Sequence, residues 1–418
     1  MDASISMTTN TRTATLLSLG LVLVLDGLVG GMVFPILGLI FIDPNQGMVP
    51  ATASLFMRDL LYGLSLGSFF FFSIIGSALL GDLSDHLGRR KVLLLSTSTT
   101  LSSCLLSALA LALHSVGLLI AARALGGIGA GNQGLAQAAI IDISTPEAKV
   151  RNLSLIGLAS SIGFVVGPVM GGLFSAQNLF PAVNFTTPFL IASALALLNI
   201  FGLVFTFKET FFLKAQRKLC WYRGFLLVVE GFRHLKLRVW LAIFGLSQLA
   251  WGFYYLGTGL LLAQTHHYTA SMIGFFMTYV SLVFAFGLSI VVPFATKRYS
   301  LRRLCLASLI LYVLALTLNL IWVDKLWVSW LGTIPLVLAQ SLLYTCLLTL
   351  ISNNLEADTQ GWGMGSANGL GYAAWGLASL SIGSLISAAV YLPFLGGLIL
   401  IGSCIVLMSY QHLQGSKQ

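Results

Sequence analysis

Two ionisable residues stand far inside apolar stretches of this chain, Asp26 and Arg123. A charge at mid-membrane costs several kcal/mol and is usually kept for function. A carboxyl placed there, as in LVLVLDGLVGG (21–31), is suited to taking up and releasing a proton. At about 1.5 Å of rise per residue, Asp26 lies about 18 Å above the basic end of its segment. Arg123, counted the same way, lies about 20 Å above that face. At a shared depth, Arg123 could tune proton exchange at Asp26, form a structural ion pair with it, or hold a substrate carboxylate. The residues alone leave these three roles open.

A second constellation is Gly81-Asp82-Leu83-Ser84-Asp85-His86-Leu87-Gly88-Arg89-Arg90-Lys91. Gly81 and Gly88 suit the turns of a tight loop. Asp85 and Arg89 can form a charge-assisted pair at the membrane surface, a latch that breaks when helices move apart. Asp142, near Glu147, Lys149 and Arg151, either joins that latch or belongs to a solvated loop. A third string, Gly163-Phe164-Val165-Val166-Gly167-Pro168-Val169-Met170-Gly171-Gly172, repeats glycine every four residues and so offers a small face for close helix packing. Pro168 removes one backbone donor and can kink the helix.

Amides and aromatics spread over several apolar segments form a candidate substrate lining: Asn132, Gln133, Gln137, Gln248, Trp251, Tyr255, Gln340, Tyr344, Tyr372 and Trp375, with Tyr254 and Asn368 beside them. Mostly apolar pockets with a few polar groups suit amphipathic organic molecules. No nucleophile–base pairing, phosphate loop or metal-ligand cluster is evident, so no catalytic residue, metal site or cofactor is expected. The glycines between 126 and 131 read as mid-helix and not as a nucleotide fingerprint. Cys104, Cys220, Cys305, Cys346 and Cys404 are isolated and suggest neither disulfides nor metal binding. His266 and His267 fall at a segment end, where lipid headgroups are the expected neighbours. No cleavable signal peptide is expected, because residues 1–13 are polar and the following apolar run is too long.

These residues need helices to hold them. Of 418 residues, 57% are hydrophobic and 8% charged. A soluble chain carries about 25% charged residues, so an all-α integral membrane protein remains. Spans of about 20 apolar residues read at 14–41, 58–80, 92–113, 116–140, 153–174, 186–207, 239–262, 271–293, 301–321, 327–350, 362–387 and 391–411. The polar interval 208–238 divides the chain into an N-terminal six-helix bundle (1–207) and a C-terminal one (239–418). With twelve spans, 19 of the 22 lysines and arginines fall on the face that carries both termini. The positive-inside rule makes that face cytoplasmic. The net charge of +9 thereby marks orientation, and nucleic acid is not an expected partner.

Residues 81–96 align without gaps on 293–308, a weak internal repeat of the kind seen in transporters. The 81–91 string closely resembles the G-x-L-[AS]-D-x-x-G-R-[RK] signature of the major facilitator superfamily. Arg123 with its glycines resembles the R-x-x-x-G signature of proton-coupled members. The 163–172 string is similar to the GPxxGG antiporter motif of the twelve-helix drug:proton antiporters, the tetracycline and multidrug exporters. The resemblance covers essentially the whole chain. It implies two bundles around a central cavity, alternating between inward-open and outward-open states. The second half departs from pattern: Lys297 stands where the repeat of Asp85 would fall, and no deep charge is expected there.

The expected activity is therefore secondary active transport: proton-coupled antiport exporting a drug, an antibiotic or a metabolite such as a siderophore. The alternatives are a proton-coupled nutrient importer and, more remotely, a transport-dead receptor on the same scaffold. The expected partners are a small-molecule substrate, protons and the lipid bilayer, for a monomer in the bacterial inner membrane.

Overall fold

The computed structural model describes residues 9–42, 48–50, 52–144, 146–176, 183–210, 220–356 and 360–415. Their regular structure is helical, with no strand among them. In hydrocarbon every backbone donor and acceptor must be satisfied within the segment, and a helix does this residue by residue. The chain runs through α1 (Thr9–Ile42), α2 (Leu55–Leu87), α3 (Arg89–Ala112), α4 (Val116–Ile128), α5 (Asn132–Ile143), α6 (Pro146–Leu173) and α7 (Thr187–Thr206). It continues with α8 (Arg223–Arg233), α9 (Arg238–Thr265), α10 (Ala270–Phe286), α11 (Val292–Arg298), α12 (Leu301–Ile321), α13 (Thr333–Asn353), α14 (Gln360–Ala388) and α15 (Leu392–Gly415). π-Helical turns at Gly287–Val291 and Val328–Gly332 join α10 to α11 and lead into α13.

Among the described residues, ten helices are long and apolar enough to cross a membrane. The fourth and fifth expected spans are not among the ten. The fifth corresponds to α6, whose described apolar part is Leu158–Leu173. The fourth differs from expectation, because residues 116–140 do not form one helix. The chain leaves helical geometry after Ile128 and resumes at Asn132. Glycine is a poor helix former, and four of the six residues from Gly126 to Gly131, before and within the break, are glycine. The Ser96 hydroxyl donates to the Gly129 carbonyl at 2.7 Å, which satisfies a backbone group freed by the interruption. The mid-helix reading of Gly129 and Gly131 is corrected accordingly. The 208–238 interval also holds the short helix α8, which its charge content had hidden. Lys214, Arg217, Lys218 and Lys417, counted for topology, lie outside the described residues.

The chain forms two compact units. One comprises Met1–Ile36 and Ser68–Gly224, the other Leu37–Gly67 and Phe225–Gln418. In the first, α3 packs on α4 and α7, around Leu19, Leu23, Val92, Leu93, Ala139 and Phe207. In the second, α9 packs on α14 and α15, and α12 on α13 and α15. Trp240, Tyr254 and Phe244 of α9 are buried there, with the Tyr254 hydroxyl 2.5 Å from Thr333 Oγ1.

The glycine face of α6 lies on α1. A side chain at Gly163 would meet the Val24 carbonyl and Leu28 nitrogen, and one at Gly167 the Leu28 carbonyl and the Gly31 Cα. Gly171 faces Met32 in the same way, and Pro168 covers Gly31. Backbone-to-backbone packing of this kind tolerates no Cβ. Gly163→Val should therefore destabilise the protein by about 1–3 kcal/mol, whereas Gly202→Ala in α7, which has open space around it, should leave stability unchanged or slightly raised. Thermal unfolding of the purified protein in detergent checks both.

Candidate functional site

The loop between α2 and α3 turns on Gly88, whose φ of +93° suits glycine. A Cβ at Gly88 would also run into the Glu209 carboxylate. Glu209 caps α3: Oε1 accepts from the Arg89 amide at 2.8 Å and Oε2 from the Arg90 amide at 3.2 Å. A carboxylate at a helix N-terminus satisfies orphan donors and complements the helix dipole. Arg90 also donates to the Val204 carbonyl at the end of α7.

Arg89 is the hub of the site, its side chain only 9% exposed. Its Nη1 donates to Asp85 Oδ1 at 2.6 Å and to the Ser84 hydroxyl, and its Nε donates to Asp142 Oδ2 at 3.2 Å. Thr210 donates to the same Asp142 oxygen at 3.4 Å. The geometry thus brings Asp142 to the Asp85–Arg89 pair, and the solvated-loop alternative for Asp142 does not describe it. Gly81, expected at a turn, lies instead inside α2 with open space around it, so of the two glycines only Gly88 turns the loop. Asp82 forms an ion pair with Arg223, the first residue of α8. Glu209 and Arg223 were missed because the 208–238 interval was read for its count of basic residues. The signal was a lone acid in Lys208-Glu209-Thr210, directly after an apolar segment.

Asp26, on α1, meets the first residue of α5. Asn132 Nδ2 donates to Asp26 Oδ1 at 2.9 Å. Asn132, expected to line a pocket, is instead 1% exposed and partners the carboxyl. The break in the fourth span sets this residue at the start of a new helix, beside Asp26. Arg123 is buried, with its guanidinium 4.5 Å from the centre of the Phe69 ring. No ion pair or hydrogen bond among the described residues joins Arg123 to Asp26, so the structural ion pair is not formed. Arg123 Nε has no hydrogen-bond partner. Asp59, near the start of α2, is a fully buried acid that the sequence did not single out.

The expected lining divides by unit. In the first, Gln133 and Gln137 are exposed one turn apart on α5. In the second, Gln340 donates to Gln248 at 2.8 Å, both buried. Trp251 stacks near Phe284 and Tyr255, and Tyr255 meets Trp375 edge-on at 5.8 Å. Tyr344 packs against Phe244 and Phe284. Tyr372 lies on α14, three residues before Trp375, and both are partly buried. The result is an aromatic wall with a buried amide pair. His266 caps the end of α9.

The sequence profile of the Major Facilitator Superfamily matches residues 19–380. This chain belongs to the major facilitator superfamily. The superfamily's members are transporters. Tetracycline resistance protein class C of Escherichia coli is 27% identical over 371 residues, 85% of this chain and 88% of that protein. Major facilitator superfamily domain-containing protein 10 of Bos taurus is 34% identical over 123 residues, only 29% of this chain and 26% of that relative. Among solved structures, the human organic anion transporter MFSD10 superposes with a TM-score of 0.69 at 21% identity, covering 95% of this chain and 99% of that one. A D-xylose-proton symporter superposes at 0.73 with 14% identity, covering 95% and 97%. Both show the shared superfamily fold.

Burial holds the Asp142 carboxyl above the usual carboxylate range, outweighing the Arg89 guanidinium and the Thr210 hydroxyl, which pull the other way. A raised carboxyl contributes its stability fully below its unfolded pKa, about 3.9 for aspartate, and loses it as pH rises through the folded value. Asp142→Asn should therefore flatten a fall in melting temperature as pH climbs from about 4. A pH series of thermal unfolding curves on parent and variant measures this. Glu209→Ala should cost about 1 kcal/mol in the same assay through the lost cap.

Proposed function

We propose that this protein is a proton-coupled antiporter exporting a small amphipathic organic molecule. On this reading the chain crosses the membrane twelve times as two six-helix bundles, with both termini and the Arg89 hub in the cytoplasm. The single observation that carries the proposal is Asp26, a carboxyl inside an apolar helix held by one neutral amide and no cation. A carboxyl so placed is costly when charged and cheap when neutral, so its protonation responds to its surroundings, as that of a proton carrier must. Proton uptake from outside neutralises Asp26 and favours the return inward, where release of the proton lets substrate bind. The similarity to a tetracycline resistance protein along 85% of the chain supports export of a drug-like substrate. An exported metabolite such as a siderophore would use the same machinery.

The Arg89 hub acts as the cytoplasmic latch. Asp85 and Asp142 come from the α2 end and the α5 end, so their shared cation ties two helix ends together. One observation favours a more specific substrate. Arg123 is a buried cation with an unpartnered Nε and no carboxylate bound to it, which suits an organic anion, the class named for the human MFSD10 transporter. The bacterial inner membrane is the proposed location, with the proton gradient as the energy source.

Transport by the purified protein in proteoliposomes under an imposed pH gradient tests the reading, with tetracycline and a carboxylate-bearing dye as probes. Asp26→Asn should lower gradient-driven transport about tenfold or more, a barrier change of about 1.4 kcal/mol. Full gradient-driven transport in that variant removes Asp26 as the coupling site. Arg123→Gln should impair the anionic dye more than the neutral form of a substrate; equal loss of both assigns Arg123 to coupling instead.

A further inference from the structure

A buried acid outside the sites described above lies near the start of α2. Asp59 is 0% exposed, and so is removed from water although a neighbouring arginine precedes it in sequence. Arg58 does not neutralise it. Each nitrogen of the Arg58 guanidinium donates to a backbone carbonyl, Nη1 to Phe41 at 3.1 Å, Nη2 to Pro50 at 2.8 Å and Nε to Ala53 at 3.4 Å. Adjacent residues on a helix point in different directions, and no ion pair joins the two among the described residues. Among the described residues, the other titratable groups near Asp59 are Tyr62, one turn along α2, and behind it Tyr255 of α9. Helix α14, packed directly on Asp59 through Gly383, carries no Asp, Glu, Lys, Arg or His.

The hydrogen bonds count the protons. Ser387 Oγ lies in hydrogen-bond contact with Asp59 Oδ2 and also 3.0 Å from the Gly383 carbonyl. Both of those atoms are acceptors when Asp59 is ionised, and a serine hydroxyl has one hydrogen. One contact is then poorly served, and Asp59 Oδ1 has no partner in any case. A proton on Asp59 resolves this. The carboxyl donates to Ser387 Oγ while the hydroxyl donates to Gly383, and the negative charge that nothing offsets disappears. A buried carboxylate without a cation costs far more than a neutral carboxyl. The same seam continues one turn along, where Gly63 lies against the Ser379 carbonyl. A swollen or hydrated seam would lose these backbone contacts.

We propose that Asp59 is a second proton-binding carboxyl of this transporter, protonated while the α2–α14 seam is closed and deprotonated to water when the seam opens. The inference rests on the proton-coupled reading above. It adds a site at the end of α2 away from the Gly81–Lys91 loop, with Ser387 as its positioning residue.

The test does not need transport, so it can fail independently of the Asp26 assignment. The full-length protein in liposomes is titrated while infrared absorption of protonated carboxyls is recorded, using Asp26→Asn to remove the α1 carboxyl. A protonated-carboxyl band at neutral pH that weakens from Asp26→Asn to Asp26→Asn/Asp59→Asn is expected. A spectrum unchanged by the second substitution overturns the proposal. Hydrogen exchange of the parent protein gives a variant-free measurement. Protection of the 379–387 amides, corrected for intrinsic exchange, should fall about tenfold or more from acidic to alkaline pH. Asp59→Asn, whose amide can donate to Ser387 as the neutral carboxyl does, should keep protection high throughout. Protection in the parent that is flat with pH, or an Asp59→Asn protein as pH-sensitive as the parent, also overturns it.

Discussion

Hydrocarbon solvates neither a peptide group nor a charge, and the arrangement of this protein follows from that constraint. Backbone groups are satisfied within helices, which is why the described residues contain no strand. The few charged side chains then sort into two populations. Some near helix ends form ion pairs, as Arg89 does with Asp85 and Asp142 and Arg223 with Asp82. Those within the spans are each met by a neutral group: Asp26 by an amide, Asp59 by a hydroxyl, Arg123 by an aromatic face and Arg58 by backbone carbonyls. A buried ion pair would cancel charge but bind its partners tightly to one another. Neutral partners leave the acids free to change protonation state.

The same constraint sets how the helices touch. Between apolar helices in lipid there is little hydrophobic drive for association, so close packing must supply the attraction. The α1–α6 contact meets this with glycines on both sides, Gly27 and Gly31 against Gly163 and Gly167. The string that resembles an antiporter motif is thus, in its local physics, a packing surface. It fixes α1, and with α1 the position of Asp26. A motif named for coupling acts here by holding the helix that carries the carboxyl.

The interruption after Ile128 serves a related purpose. An unbroken helix would have continued past Asn132 as one more turn of a rod. The glycines let the chain depart from helical geometry, Ser96 satisfies the freed carbonyl, and α5 starts with Asn132 against Asp26. Glu209 does comparable work at Gly88, closing the start of α3 with a carboxylate drawn from the far end of α7.

The sequence by itself determined the class of structure and the residues at which to look. Composition and apolar runs are local quantities, and the price of exposing polar groups to lipid makes them decisive. The Asp85–Arg89 pair was legible because only three residues separate the two charges, which keeps them within reach across the Gly88 turn. Partners distant in the chain were not legible. Asn132 on Asp26, Glu209 on α3, Ser387 on Asp59 and Phe69 under Arg123 each join residues far apart in the chain. Asp59 was not singled out at all, because it directly follows Arg58 and sequence shows adjacency and not direction. Only packing decided that Arg58 turns to carbonyls and Asp59 to α14. Helix-to-helix register is set by which small residues let two backbones approach, and that is a property of surfaces in contact, not of any one segment.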